Sequence, residues 1–175
     1  MKRVVIVGIP GSGKTTFSKH LAKVTQLPLT NLDYYFHQTD KNYYEDKEAW
    51  VEFVAGLAKE DEWILEGNFP RVFELRARAS DTIIFLDFKR MAGMWGVIKR
   101  VFKHRRGRSR FGMPDNWVEK LNLDFLMYVW RFTKSDKYKD MKSLFNELTD
   151  DRTNGITTHR FTNREQLYRW LDGLK

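Results

Sequence analysis

The chain has 175 residues, a length that predicts one domain over residues 1–175 with a sizeable hydrophobic core. It contains no cysteine, which excludes disulfides, thiolate metal sites and a cysteine nucleophile, and favours a cytoplasmic location. The formal net charge of +8 predicts an attraction to anions, and no apolar run is long enough for us to expect a signal peptide or a membrane span.

Residues 8–15 form a complete phosphate-binding motif, G-x-x-x-x-G-K-[ST]. The motif follows an apolar run and precedes a helix-like stretch, which is the strand–loop–helix context that it requires. Glycines let backbone N–H groups turn toward phosphate oxygens, and the helix directs its positive end to the same place. We therefore predict a nucleoside triphosphate site formed by Gly8, Pro10, Gly11, Ser12, Gly13, Lys14, Thr15 and Thr16.

Two residues of this motif carry chemistry. Lys14 can reach the β- and γ-phosphates of ATP as a catalytic residue, and the hydroxyl of Thr15 can ligate Mg²⁺. ATP and Mg²⁺ are thus the predicted cofactors. The rival dinucleotide fingerprint G-x-G-x-x-G fails, because its third glycine would fall on Thr16.

Short apolar runs alternate with helix-like stretches along the chain. The predicted strands are residues 3–8, 28–32, 63–66, 82–87 and 156–161. The predicted helices are residues 14–24, 47–59, 71–79, 91–103, 117–133, 137–148 and 163–171. This alternation predicts an α/β fold, with a parallel sheet covered on both faces.

With these pieces in order, the chain resembles small P-loop kinases of the adenylate-kinase type, and more closely the DNA-topology-modulation (FlaR-like) proteins. The matching positions are residues 8–16, 32–33, 63–69, 76, 81–87, the arginine-rich segment and residues 123–132. The resemblance implies a three-layer P-loop NTPase fold with a five-stranded parallel sheet of order 2-3-1-4-5. It also implies an acceptor-side segment at residues 34–60 and a lid-like loop at residues 104–116.

Two acidic residues follow predicted strands, at the edge where open α/β sheets bind ligands. Glu66 is predicted to be catalytic and to organise Mg²⁺ as a Walker B acid does; the alternative is an acid exposed at a strand end. Asp33 is predicted to contact the acceptor and to orient its hydroxyl for attack; the alternative is a helix-capping or turn aspartate.

The stretch Glu66-Gly67-Asn68-Phe69-Pro70-Arg71 is similar to the Asp-Gly-Phe-Pro-Arg motif of adenylate kinases, whose arginine grips the acceptor phosphate. One inserted residue would change the direction of Arg71, so Asn68 and Arg76 are further candidates for substrate binding.

Tyr34 belongs to a group of aromatic residues after the second predicted strand, which either stack on the acceptor or pack a small subdomain. No arginine occurs between Gln26 and Pro70, which counts against an adenylate kinase and leaves room for a neutral hydroxyl acceptor.

Residues 99–110 are strongly basic, and at the lid position they would close on the triphosphate. Arg100 is predicted to stack on adenine, and Arg100 and Arg106 are the predicted catalytic arginines that stabilise the transition state. The alternatives are a solvated basic loop and a nucleic-acid contact. The predicted function is ATP-dependent phosphotransfer to a nucleoside, nucleotide or other small hydroxyl metabolite. The alternative is a nucleotide-regulated nucleic-acid-binding protein, although we expect weak or no nucleic-acid binding.

Single alanine substitutions at Arg100, Arg105, Arg106, Arg108 and Arg110 distinguish a lid from a nucleic-acid surface. We expect at least one to lower phosphotransfer by as much as about 10³-fold, because lid arginines neutralise charge on the transferring group. A nucleic-acid surface is indicated instead if all five variants keep full phosphotransfer while duplex DNA binds tightly at physiological salt and loses affinity with each substitution. Each lost phosphate contact should lower the slope of log K against log salt by about one unit.

Overall fold

Five short strands form one parallel sheet in the computed structural model, which describes residues 1–37, 42–104 and 123–174. The strands are β1 (Arg3–Gly8), β2 (Leu29–Asn31), β3 (Trp63–Glu66), β4 (Thr82–Leu86) and β5 (Thr157–Phe161). Their order, β2-β3-β1-β4-β5, confirms the predicted topology. The three central strands are buried on both faces, which explains why they read as continuous apolar runs.

Helices cover both faces of the sheet. They are α1 (Lys14–Thr25), α2 (Leu32–Phe36), α3 (Lys47–Ala58), α4 (Phe73–Ala79), α5 (Arg90–His104), α6 (Leu123–Phe132), α7 (Asp136–Asp150) and α8 (Arg164–Asp172). On one face Phe17 of α1 contacts Tyr168 of α8, and on the other Phe145 of α7 contacts Phe85 of β4. This is the predicted three-layer arrangement.

A second hydrophobic cluster lies beside the main core. Its buried members are Leu32, Tyr43, Trp50, Val54 and Val72. Tyr43 and Trp50 are 5% and 3% exposed, so these two aromatic side chains pack the subdomain around α3. In contrast, Tyr34 and Tyr44 stay exposed, which separates the aromatic residues of this region into two groups.

The prediction of a strand over residues 28–32 is wrong at its end. The strand stops at Asn31, whose side-chain oxygen accepts hydrogen bonds from the backbone N–H groups of Asp33 and Tyr34. This cap starts α2 at Leu32. The predicted helix 71–79 also begins differently, because a 3₁₀ turn (Pro70–Val72) precedes α4. Residues 105–122, which hold most of the predicted lid, lie outside the described residues.

Helix α5 touches the backbone of the phosphate-binding motif directly. A Cβ atom at Gly96 would lie 2.0 Å from the carbonyl oxygen of Gly11, and one at Gly93 would lie 2.7 Å from that of Pro10. Conversely, a Cβ at Gly11 would lie 2.1 Å from the carbonyl oxygen of Gly93. Two glycines one helical turn apart therefore allow the backbone of α5 to approach the backbone of the loop closely.

We expect Gly96→Ala to lower the free energy of unfolding by about 1–3 kcal/mol, because its methyl group would overlap backbone atoms of the loop. The matched control is Gly56→Ala in α3, where a Cβ meets nothing within 4 Å. That variant should be stabilised by about 0.5–1 kcal/mol, because alanine favours the helix. Urea unfolding of both variants measures the difference, and equal changes would contradict the predicted contact.

Candidate functional site

The phosphate-binding motif forms a loop between β1 and α1. Gly11 and Gly13 have φ angles of 77° and 95°, a region that favours glycine. Ser12 is buried, and its hydroxyl donates to the carbonyl oxygen of Ile9 at 2.8 Å, so its side chain braces the loop. Gly13 sits at the start of α1 and supplies no side-chain cap. The N-terminal end of α1, which favours anions, therefore faces this loop.

Lys14 lies over this loop. Its ammonium group donates to the carbonyl oxygens of Gly8 at 3.0 Å and Ile9 at 3.1 Å. The charge is therefore held beside the loop amides, where the predicted phosphates would sit. Thr16, the last residue of the predicted triphosphate site, is exposed, and Pro10 is half-buried.

Glu66 ends β3 with a buried carboxylate, 1% exposed, so it is not an acid exposed by chance. Its Oε2 atom accepts a hydrogen bond from the Thr15 hydroxyl at 3.2 Å and another from the Asn31 amide at 2.7 Å. The two residues predicted to organise Mg²⁺ are therefore in contact. A carboxylate and a hydroxyl oxygen are donors that suit a hard cation also bound to phosphates and water.

Asn31 is a site residue that sequence reasoning missed. Its Nδ2 atom donates to Glu66, and its Oδ1 atom caps the helix that carries Asp33. One amide thus fixes the position of both predicted acids. The signal in the sequence was an asparagine, a preferred N-cap residue, two positions before Asp33.

Asp33 lies half-buried in the first turn of α2, beyond the end of β2. Burial raises the pKa of Tyr44 and of Tyr128, and the negative charge of Asp33 raises both further. Tyr128 belongs to α6 and was not among the predicted site residues.

Arg76 is fully buried in α4. Its guanidinium donates to the carbonyl oxygens of Val72, Gly67 and Asn68, at 3.1, 3.0 and 2.9 Å. Burial lowers the pKa of Arg76 to about 9, whereas the charges of Glu66 and Asp33 act in the opposite direction. The side chain is thus protonated at neutral pH and holds the loop after β3. In this conformation it offers no surface to a substrate.

The other predicted substrate-binding residues are placed differently. The Asn68 side-chain oxygen accepts from the Gly8 N–H at 3.1 Å, which joins the loop after β3 to the phosphate-binding loop. Arg71 is exposed and forms a long ion pair, 3.9 Å, with Glu48. Tyr34 is 36% exposed beside Asp33 in α2. Their contacts with a substrate stay predictions.

The predicted lid residues are only partly described. Arg100 lies on α5 with its guanidinium 5.9 Å from the ring of Phe125 in α6, so it faces α6. Arg106 lies outside the described residues. Stacking of Arg100 on adenine and catalysis by Arg106 stay predictions.

A cleft of about 480 Å³ opens at the end of β4, between the start of α5 and helices α6 and α7. None of the predicted site residues lines it. Its acid, Asp87, is bound by Tyr138, Arg160 and Lys142.

Within residues 1–37, 42–104 and 123–174, no helix combines the length and apolar character needed to span a bilayer. Over the same residues, histidine and acidic side chains form no group of three or more around a possible metal.

Known proteins resemble the chain in fold and in part of its sequence. No protein-family model matches it. A shikimate kinase from Parabacteroides distasonis is 57% identical over 66 residues, a match that spans 34% of this chain and only 38% of that enzyme. The crystal structure of shikimate kinase from Bacteroides thetaiotaomicron has a TM-score of 0.54 at 19% identity, covering 99% of this chain and 95% of that one.

Shikimate kinase from Acinetobacter baumannii, solved in complex with shikimate, has a TM-score of 0.52 at 15% identity. That comparison covers 99% of this chain and 90% of that one. These likenesses establish a fold shared with P-loop kinases.

We expect Asn31→Ala to lower the free energy of unfolding by about 2–4 kcal/mol, because it removes a helix cap and a hydrogen bond to a buried carboxylate. The matched control is Asn163→Ala, which removes only the cap of α8. The control should cost about 1 kcal/mol. Urea unfolding that gives equal losses would show that the Asn31 bond to Glu66 contributes nothing.

Proposed function

We propose that this chain is a small-molecule kinase that transfers the γ-phosphoryl group of ATP to a hydroxyl group, with Mg²⁺ as its metal. The observation that carries the proposal is the bond between Thr15, at the start of α1, and the buried Glu66 at the end of β3. This pair lies beside a glycine loop over which an ammonium group is held. Such a grouping serves phosphoryl transfer, which depends on positioning and charge stabilisation.

Each residue has a defined part in this proposal. The loop amides and Lys14 bind the phosphates and neutralise charge on the transferring group. Asp33 accepts the proton of the attacking hydroxyl. Thr15 and Glu66 would hold Mg²⁺, directly or through water, and the bound ion would draw charge from the phosphate oxygens.

The partial sequence match to a shikimate kinase supports a small hydroxyl metabolite as the acceptor, alongside the nucleosides and nucleotides suggested by the sequence. The closer resemblance to DNA-topology-modulation proteins stays a prediction. No contact among the described residues favours nucleic acid over a small-molecule acceptor, and the most basic segment lies outside them.

The proposal is tested with Lys14→Ala and with Lys23→Ala, which removes an exposed ammonium group from the last turn of the same helix. A ligand at a hundred times its Kd stabilises the folded state by about 2.7 kcal/mol. We expect Mg-ATP to raise the melting temperature of wild type and of Lys23→Ala, and to raise that of Lys14→Ala much less. ADP release that depends on an added hydroxyl compound should be lost only in Lys14→Ala.

An equal rise in melting temperature in all three proteins would show that the loop is not the triphosphate site. A rise specific to intact Lys14, without acceptor-dependent ADP release for any nucleoside, nucleotide, sugar or sugar acid, would leave an ATP-binding protein that is not a kinase of this type.

A further inference from the structure

The cleft at the end of β4 lies outside the proposed phosphotransfer site, yet it has the size and the lining of a ligand site. Its volume of about 480 Å³ is typical of pockets that hold small molecules. Three separate parts of the fold line it: the connection from β4 into the first turn of α5, the end of α6, and α7. All of its lining residues belong to the described part of the chain.

One wall of the cleft is fixed by the carboxylate of Asp87, which is 11% exposed. It accepts hydrogen bonds from the hydroxyl of Tyr138 in α7 and from the guanidinium of Arg160 in β5, where Nε lies at 2.8 Å. The ammonium group of Lys142, one turn after Tyr138, lies 3.2 Å from the same carboxylate. These contacts join the end of β4 to α7 and β5, so the cleft is formed before any ligand enters.

The charged groups that line the cleft are mostly cationic. Lys89, Arg90 and Lys142 line it, and Asp87 is the one acid among its lining residues, all of them described. Because Arg160 also pairs with Asp87, that carboxylate does not cancel the charge of the lining cations. An ammonium group has three N–H donors, so Lys142 keeps donors beyond its contact with Asp87. The cleft therefore favours an anion.

Arg90 and Trp130 place a guanidinium over an aromatic ring in this cleft. The guanidinium carbon of Arg90 lies 4.8 Å from the centroid of the Trp130 ring, and the pair joins α5 to α6. The N–H groups of a guanidinium lie in its plane and match the paired oxygens of a carboxylate or phosphate. Trp130 is 40% exposed, and the ring of Phe88 lines the same cleft. A guanidinium beside two apolar rings suits an anionic group carried on a flat apolar body.

We propose that this cleft is a second ligand site, which binds a small organic anion: a flat apolar ring that carries a carboxylate or a phosphate ester. The anionic oxygens would accept hydrogen bonds from Arg90 and Lys142. The ring would pack against Trp130 and Phe88. None of the residues predicted to bind the triphosphate, Mg²⁺ or the acceptor lines the cleft, so this inference does not depend on the proposed kinase function.

The test uses benzoate and phenyl phosphate as probes, with saturating Mg-ADP present to occupy the triphosphate site. Titrations followed by NMR give the Kd of each probe, of benzyl alcohol, which lacks the charge, and of acetate and inorganic phosphate, which lack the ring. We expect the tighter charged aromatic probe to have a Kd at least about tenfold lower than benzyl alcohol and than its own ring-free counterpart, because it makes both kinds of contact. The tighter of the two probes also identifies the anionic group that the cleft prefers.

Variants of the lining residues place the probe in the cleft. We expect Arg90→Gln to raise the Kd at least about tenfold, because the anion loses a charged hydrogen-bond donor. Trp130→Ala should raise it at least about threefold through loss of the ring contact. The matched control is Arg131→Gln, which removes an exposed guanidinium of α6 outside the cleft. Its Kd should stay within about twofold of wild type, because salt screens an exposed charge at that distance.

Four results would overturn the inference. The first is no binding of either charged aromatic probe below about 10 mM. The second is an effect of Arg90→Gln no larger than that of Arg131→Gln, and the third is equally tight binding of the ring-free anions. The fourth is a probe that Mg-ADP displaces or that Lys14→Ala no longer binds, since it would then occupy the phosphate-binding loop. If Mg-ADP itself does not bind, Lys14→Ala still separates the two sites, so failure of the proposed function leaves this test intact.

Discussion

The buried carboxylate of Glu66 is the constraint on which the arrangement of the site depends. A carboxylate that is removed from water must be supplied with hydrogen-bond donors, or the fold is strongly destabilised. Here Thr15 at the start of α1 and Asn31 at the end of β2 both donate to the same oxygen. The need to satisfy one charge therefore fixes two neighbouring elements relative to β3. It also sets where α2 begins, because the same asparagine caps that helix.

A second layer of polar contacts keeps the loop after β3 in place. Arg76 holds the carbonyls of Gly67 and Asn68, and the Asn68 side chain in turn accepts from the N–H of Gly8. Arg76, a candidate substrate ligand in the sequence, thus donates its hydrogen bonds to backbone carbonyls. The outcome is a phosphate-binding loop held through its first residue, and such prior ordering is what phosphoryl transfer requires.

Much of this architecture could be predicted from the sequence, because its signals are local. The motif of residues 8–15 requires its own strand, loop and helix, and the alternation of apolar runs with helical stretches predicts a parallel sheet. The strand order was implied by the resemblance to small P-loop kinases, and it is the order observed. The end of β2 was missed because Leu32 is as apolar as a strand residue, whereas the cap made by Asn31 decides the conformation. The burial of Arg76 and its hydrogen bonds to the loop after β3 depend on tertiary packing, which periodicity does not encode.

The contact between α5 and the phosphate-binding loop has a consequence for building hybrid proteins of this fold. At Gly96 the helix meets only backbone atoms of Gly11, so no side chain of the loop can move aside for a larger residue there. An α5 helix taken from another protein would therefore determine the position of the phosphate-binding loop through this contact. A donor helix with alanine or a larger residue at position 93 or 96 would lift residues 10–11 out of place, whatever chemistry its distal end supplies.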